Sequence, residues 1–348
     1  MSMTEIIAVA ARTPAGLNAE SSAAAARAGL SRRCDFPFST PEGDPVVVAA
    51  DAKLNAKIEG RDRLIPMIES ALAELFDKLA QGEAYQGKCH LLLALPEARP
   101  GFSDDDAQWV VDSIGAVLAE KATRTEVSLV GRGHAGTLAA IDQAARQIAQ
   151  GSDELHIILG ADTYHHAQTF VHLERTLQFD QPTIRGGFVP GEGAACLALA
   201  SSQLAQQLQL PALALVTGVR MAWEDLLRDS ETGTFGVGMS EAVLGAAAGL
   251  KLPDEAVDTL YSDINGERYR SEEWGFVAMR TPSLWRSLDY EAPADCWGDS
   301  GAAFGTLAAM LAVQSYAKGY AKGPRTMVMA GSESGLRGAM LLTNPRGI

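Results

Sequence analysis

The residues best placed to do chemistry lie in the stretch Thr125–Tyr164, TEVSLVGRGHAGTLAAIDQAARQIAQGSDELHIILGADTY. Val127–Val130 read as a short apolar strand, Gly131-Arg132-Gly133 as a tight turn, and Ala135–Gln150 as a helix with Leu138, Ile141, Ala145 and Ile148 at helical spacing. Gly151 stops that helix, and His156–Leu159 form a second buried strand. His134 therefore stands where the helix begins. It faces the positive end of the helix dipole and several unpaired backbone N–H groups, a place suited to an anion or a nucleophile, where an imidazole is expected to stay neutral.

The same turn, Gly131-Arg132-Gly133-His134-Ala135-Gly136, satisfies GxGxxG between a strand and a helix, the context of a dinucleotide-binding loop. Asp162, at the end of the next strand, would then hold a ribose. Against this NAD-binding oxidoreductase stand the unit's place deep in the chain and the bulk of His134 on the approach to a pyrophosphate. The spacing to Asp162 also exceeds the roughly 20 residues usual for such a motif.

Other reactive side chains read as structural. His165-His166 lack an accompanying carboxylate pattern and belong to a loop, and Glu192 ties a glycine-rich turn by hydrogen bonds. Cys196 lies in an apolar run and reads as core. Cys296 is near Asp299, where a displaced thiol reaching the same pocket is the alternative. Arg268 and Arg270, balanced by Glu267, Glu272 and Glu273, read as a solvated face. No metal or cofactor site is expected.

The elements that position these residues belong to a chain of 348 residues, more than one core usually fills, so two packed halves are expected. Abundant alanine and glycine with few aromatics suit tight α/β layers. The formal net charge of -14 argues against nucleic acid or an anionic membrane as partner. Cys34, Cys89, Cys196 and Cys296 form no CxxC pair, and the N-terminus has neither a basic n-region nor an apolar run long enough for a signal or a membrane span. A reduced, cytoplasmic protein is expected.

In chain order, Ile6–Ala10 read as a strand and Ser21–Gly29 as a helix. Arg33–Gly60 is irregular, with a strand at Val46–Ala49. Helices at Asp62–Leu79 and Asp104–Glu120 flank a strand at His90–Leu95. After the organising block, Gly186–Ala194 make a glycine-rich turn into the strand Ala195–Ala200, and polar Gln203–Gln209 mark a join near residue 205. A second series follows: strand Ala212–Val216, helix Glu241–Gly249, strand Thr259–Asp263, helix Gly301–Tyr316, and strands Thr326–Ala330 and Ala339–Leu342. Gly136-Thr137-Leu138-Ala139-Ala140-Ile141 returns as Gly305-Thr306-Leu307-Ala308-Ala309-Met310, each followed one helix later by an apolar strand. The repeat points to duplicated βαβ architecture.

Five segments resemble, in order and spacing, those of beta-ketoacyl synthases: FVPGEGAACLAL, the nucleophile helix with its following strand, LKLPDEAVDTLYSDINGERYRSEEW, WGDSGAAFGTLAAM and GSESGLRGAMLLT. The resemblance implies a thiolase-like α/β fold with duplicated βαβαβ halves, 1–205 and 206–348, in α/β/α/β/α layers. In that family a cysteine attacks an acyl thioester and two histidines assist. The matching positions here hold His134, Asn265 and Asp299. An acylimidazole is labile, and Asp299 brings negative charge where an enolate needs a donor, so covalent condensation is not expected.

Two readings of these three residues stay open: a relic pocket whose polar groups satisfy one another, or a site in which Asp299 orients His134 to activate water or a substrate proton. The resemblance implies acyl-carrier protein or acyl-CoA as ligands. It also implies dimerisation through the strand Glu126–Val130, with a second copy or with an active synthase. The function implied is an acyl-binding or partner subunit of fatty-acid or polyketide-type metabolism, with an unusual acyl-thioester hydrolase or decarboxylase as the alternative.

Overall fold

Strands and helices alternate through two successive series in the computed structural model, which describes residues 3–39, 43, 45–120, 124–180 and 186–347. The first series runs β1 (Thr4–Arg12), α1 (Ala19–Arg27), β2 (Arg33–Ser39), β3 (Pro45–Ala49), α2 (Arg61–Leu79), β4 (Cys89–Leu95), α3 (Asp104–Glu120) and β5 (Thr125–Arg132). It continues with α4 (Gly136–Ala149), β6 (Leu155–Thr163), α5 (Ala167–Arg175), β7 (Glu192–Ser201) and α6 (Ser202–Gln207). The second comprises β8 (Ala214–Trp223), α7 (Val237–Ala246), β9 (Thr259–Ser262), α8 (Arg268–Arg280), the short α9 (Ala294–Trp297) and a tight 3-10 turn at Gly301–Ala303. After these come α10 (Phe304–Lys318), β10 (Arg325–Gly331) and β11 (Leu336–Thr343).

Nine strands form one sheet in the order β5-β4-β6-β7-β1-β8-β11-β10-β9, and β2 with β3 make a separate hairpin. The pairing repeats. β6 runs antiparallel to β7 and parallel to β4, as β10 runs antiparallel to β11 and parallel to β9. The two parts join through Thr4, Glu5 and Ile6 of β1, which pair with Val216, Leu215 and Ala214 of β8. Beyond Val216, β8 pairs only with β11 among the described residues.

The strands are near-continuous apolar runs because both of their faces are covered. On β10, Val328 and Ala330 pack toward α4 and α10, while Met327 and Met329 pack toward α7 and α8. On β7, Leu197 and Leu199 join the α4/α10 core while Cys196 and Ala198 join the core beneath α2 and α3. Residues Phe304–Tyr316 of α10 are all buried, so the helix is apolar on every side and, with α4, makes the central of three helical layers. This is the layered α/β arrangement expected, with the halves joined into one continuous sheet.

Five elements differ from expectation. β2 occupies the start of the stretch read as irregular, although positions 40–42 and 44 of it lie outside the described residues. Helices α5, α6, α8 and α9 were not anticipated. In α8 the solvated face expected for Arg268 and Arg270 is half right: Arg268 is exposed, but Arg270 is buried, held by Asp263, Glu267 and Glu333.

Candidate functional site

The turn from β5 into α4 carries His134, and its glycines are needed for packing. A Cβ at Gly131 would lie 2.2 Å from the Gly136 carbonyl oxygen, so the strand end and the helix start touch backbone to backbone. Gly133 sits at φ 68°. Asp162 is buried, accepting from Arg99 Nη2 at 2.6 Å and from the Ala302 N–H at 2.8 Å. At 1% exposure its carboxylate faces the interior and is out of reach of a ribose hydroxyl.

Asp299 reaches the same place from the second half. It follows α9, and its backbone is bridged to the glycine-rich turn: its N–H donates to Val189 O at 2.8 Å and its carbonyl accepts from the Gly191 N–H at 3.0 Å. Asn265 follows β9. The structure brings all three expected residues together. His134 Nε2 lies 2.8 Å from Asp299 Oδ1 and 3.1 Å from Oδ2, and Asn265 Nδ2 donates to Oδ2. His134 and Asp299 are 4% and 3% exposed, and Asn265 is half-buried, so the cluster meets the surface at Asn265.

Asp299 is a saturated acceptor. Besides His134 and Asn265, its Oδ1 takes the Gly301 N–H at 2.7 Å and the Tyr164 hydroxyl at 3.4 Å. Burial alone would raise its pKa, but the His134 charge, Arg270 and the Asn265 hydrogen bond together hold it well below the usual carboxylate range. For His134, burial lowers and the Asp299 charge raises, with Arg270 opposing and Asp263 assisting; the pair charge prevails and the imidazole holds its proton more tightly than usual. The helix dipole's pull toward a neutral imidazole is therefore opposed here: a carboxylate at 2.8 Å outweighs the partial charge of a helix end.

Further residues of the site came from no sequence signal. Tyr164, 6% exposed, packs its ring against the Arg99 guanidinium at 4.0 Å, and its phenol stays protonated because burial and the Asp299 charge both raise its pKa. Glu267 accepts from the Asn265 amide at 3.1 Å, from Gln178 at 3.1 Å and from Arg270 Nε at 3.2 Å. Arg270 also donates to Glu333 at 3.1 Å and to the Gly331 carbonyl at 2.9 Å. In the sequence Glu267 reads only as balancing Arg268 and Arg270 on a solvated face, whereas both Glu267 and Arg270 are buried here.

The remaining reactive residues lie elsewhere. Glu192, fully buried, ties together Arg63, the Asp51 N–H, Thr163 and His165, and His165 with Arg63 holds its pKa far below normal despite burial. His165 is thus an interior residue stacked on Phe36, while the neighbouring His166 caps α5 by accepting from the Gln168 N–H at 3.1 Å. Cys296 directs its sulfur to the Ala26 carbonyl at 3.8 Å, and burial raises its pKa, so no displaced thiol enters the cluster. Cys196 is core, its pKa also raised by burial. Among the described residues no group of side chains is arranged to hold a metal ion, and no helix is long and apolar enough to cross a membrane.

No known family profile matches the sequence, nor does any curated protein sequence. The structure is similar to solved ones over nearly its whole length. A type II polyketide synthase acyl-carrier protein in complex with its ketosynthase bound to the hexaketide (AntDE:AntF) matches at TM-score 0.79 and 13% identity, with 99% of each chain covered. A ketosynthase in complex with its chain length factor from Xenorhabdus doucetiae matches at TM-score 0.76 and 16% identity, covering 99% of this chain and 98% of that one. A beta-ketoacyl synthase from Burkholderia phymatum STM815 matches at TM-score 0.74 and 15% identity, covering 99% and 100%. The chain has the thiolase-like fold of these ketosynthase-type structures.

Proposed function

We propose that this chain is a ketosynthase-like partner subunit of polyketide- or fatty-acid-type metabolism in the cytoplasm, binding acyl chains or a carrier without condensing them. One observation carries the reading: the buried cluster of His134, Asn265 and Asp299 contains no thiol, and Asp299 already accepts from His134, Asn265, Tyr164 and the Gly301 N–H. A carboxylate that already accepts from four donors takes no proton from substrate. Residues 1–205 and 206–348 are the two halves of the scaffold on this reading.

Two of the similar structures named above pair a ketosynthase with acyl-carrier protein or with a chain length factor, which supports a second chain as partner here. β5 is an edge strand with a free side, and Val127, Leu129 and Val130 along it are only half-buried. Such an edge accepts another strand, so pairing through β5 with a second copy or with an active synthase is proposed.

A second reading rests on the 2.8 Å contact between His134 and Asp299, the geometry of an oriented acid-base pair, and would make the chain an acyl-thioester hydrolase or decarboxylase. Incubation with malonyl- and acyl-thioesters of CoA and carrier protein, followed by intact-mass measurement and product analysis, separates the two. The partner reading expects no adduct, no product from the chain alone, and co-purification with an intact synthase. Turnover that disappears in His134→Ala would overturn it in favour of the second.

A further inference from the structure

Glu97, just beyond β4, holds a position that its own sequence does not explain. Its Oε2 accepts from the Glu333 N–H at 2.8 Å and its Oε1 from the Ser334 N–H at 3.0 Å. Two consecutive backbone N–H groups converging on one carboxylate form an anion-binding concavity, here filled by the protein itself. Among the described residues no cation pairs with Glu97, and its side chain is only half-buried. The backbone amides are its hydrogen-bond donors.

The loop presenting those amides is braced from behind. Arg270 Nη1 donates to the Gly331 carbonyl at 2.9 Å and Arg337 Nη1 to the Ser332 carbonyl at 2.8 Å. Ser332 Oγ bridges to the chain on either side of His134, donating to Arg132 O at 2.9 Å and accepting from the Ala135 N–H at 3.0 Å. The Glu97 carboxylate lies over the residue before His134, since a Cβ at Gly133 would fall 2.6 Å from Oε2. Fixed donors of this kind need no reorganisation to take another anion.

We propose that the Glu333 and Ser334 amides form a binding site for a small carboxylate, and that Glu97 keeps this site closed until it swings outward. The site does not depend on turnover, so it stands or falls apart from the function proposed above. Its ligand class follows from its present occupant: a group with the charge, planarity and width of a carboxylate. A closed site lowers apparent affinity by the fraction of time it is open, so an occupant present nine-tenths of the time weakens binding about tenfold.

Glu97→Ala removes the terminal carboxylate and its adjoining methylene, the volume of one acetate ion. The test is calorimetric titration with sodium acetate at constant ionic strength, alongside amide hydrogen exchange at 333 and 334. The variant is expected to bind acetate at least about tenfold more tightly than the unaltered protein. Its amides at 333 and 334 should exchange faster without acetate and regain protection with it. A folded variant that binds acetate no better than the unaltered protein, or whose amides keep their protection without acetate, overturns the proposal. If that variant does not fold, Glu97→Gln, which keeps the volume but one acceptor oxygen, must speed exchange at one of the two amides; unchanged exchange overturns it equally.

Discussion

Asp299→Asn keeps the shape of the side chain and removes the charge on which the His134 cluster depends. The amide retains one oxygen, enough for His134 or the Gly301 N–H but not for every present donor, and its NH2 group would confront Asn265 Nδ2. Losing one partner of a buried ion pair costs about 3–5 kcal/mol. With an unfolding entropy near 2.1 cal/mol/K per residue, a chain of 348 residues loses roughly 4–7 °C in melting temperature. The pH dependence is more diagnostic.

In the intact protein His134 has a raised pKa. Its contribution is complete below the unfolded value of 6.5 and is lost as pH rises through the folded value. Asp299 has a depressed pKa, contributing above its unfolded 3.8 and losing that contribution as acid approaches the folded value. Without the Asp299 charge, burial and Arg270 together outweigh Asp263, and the His134 value falls below 6.5. The difference in stability between intact protein and variant should therefore shrink from pH 5 to pH 8. Urea unfolding across that range, with the His134 ring proton followed by NMR, checks both statements. A His134 value that stays above 6.5 in the variant would refute the electrostatic account.

Other outcomes follow from single contacts. Glu192→Leu strands the Arg63 guanidinium, 1% exposed, without its counter-charge, and should lower the urea midpoint by the equivalent of about 3–5 kcal/mol at unchanged m-value. Gly301→Ala places a methyl 2.0 Å from Asp162 Oδ2 at φ 47°, and calorimetry should register a loss of about 1–3 kcal/mol. Leu129→Arg puts a charge in the middle of the β5 edge, so sedimentation should find a monomer with unchanged near-UV circular dichroism. Iodoacetamide should label the exposed Cys34 in the native state, with Cys89 and Cys196 reacting only on unfolding, because burial raises both thiol pKa values.

The organising block was readable because strands covered on both faces are apolar without interruption, and because the helix between them carries its buried stripe in Leu138, Ile141 and Ile148. β2 was hidden by Pro37 and by charged residues in Arg33-Cys34-Asp35, a pattern that argues against a strand until its pairing with β3 is seen. α8 escaped notice for a related reason: its buried side includes Tyr269, Arg270 and Glu273, so hydrophobic spacing does not mark it. At the site, His134, Asn265 and Asp299 followed from matched positions, but Tyr164, Arg99 and Glu97 did not. Their partners lie 63 to 237 residues away along the chain, and no local pattern records such distances.

β1 lies at the interior of the nine-stranded sheet although both of its neighbours, β7 and β8, come much later in the chain. Arg12 finds its partner Ala194 only after about 180 further residues, which at 5–20 residues per second is a wait of roughly 10–35 s. Until then Ile6, Ile7, Ala8, Val9 and Ala10 present a bare apolar ribbon with both hydrogen-bonding edges open. Nascent chains are therefore vulnerable at β1, where α2 can shield one face early but neither edge.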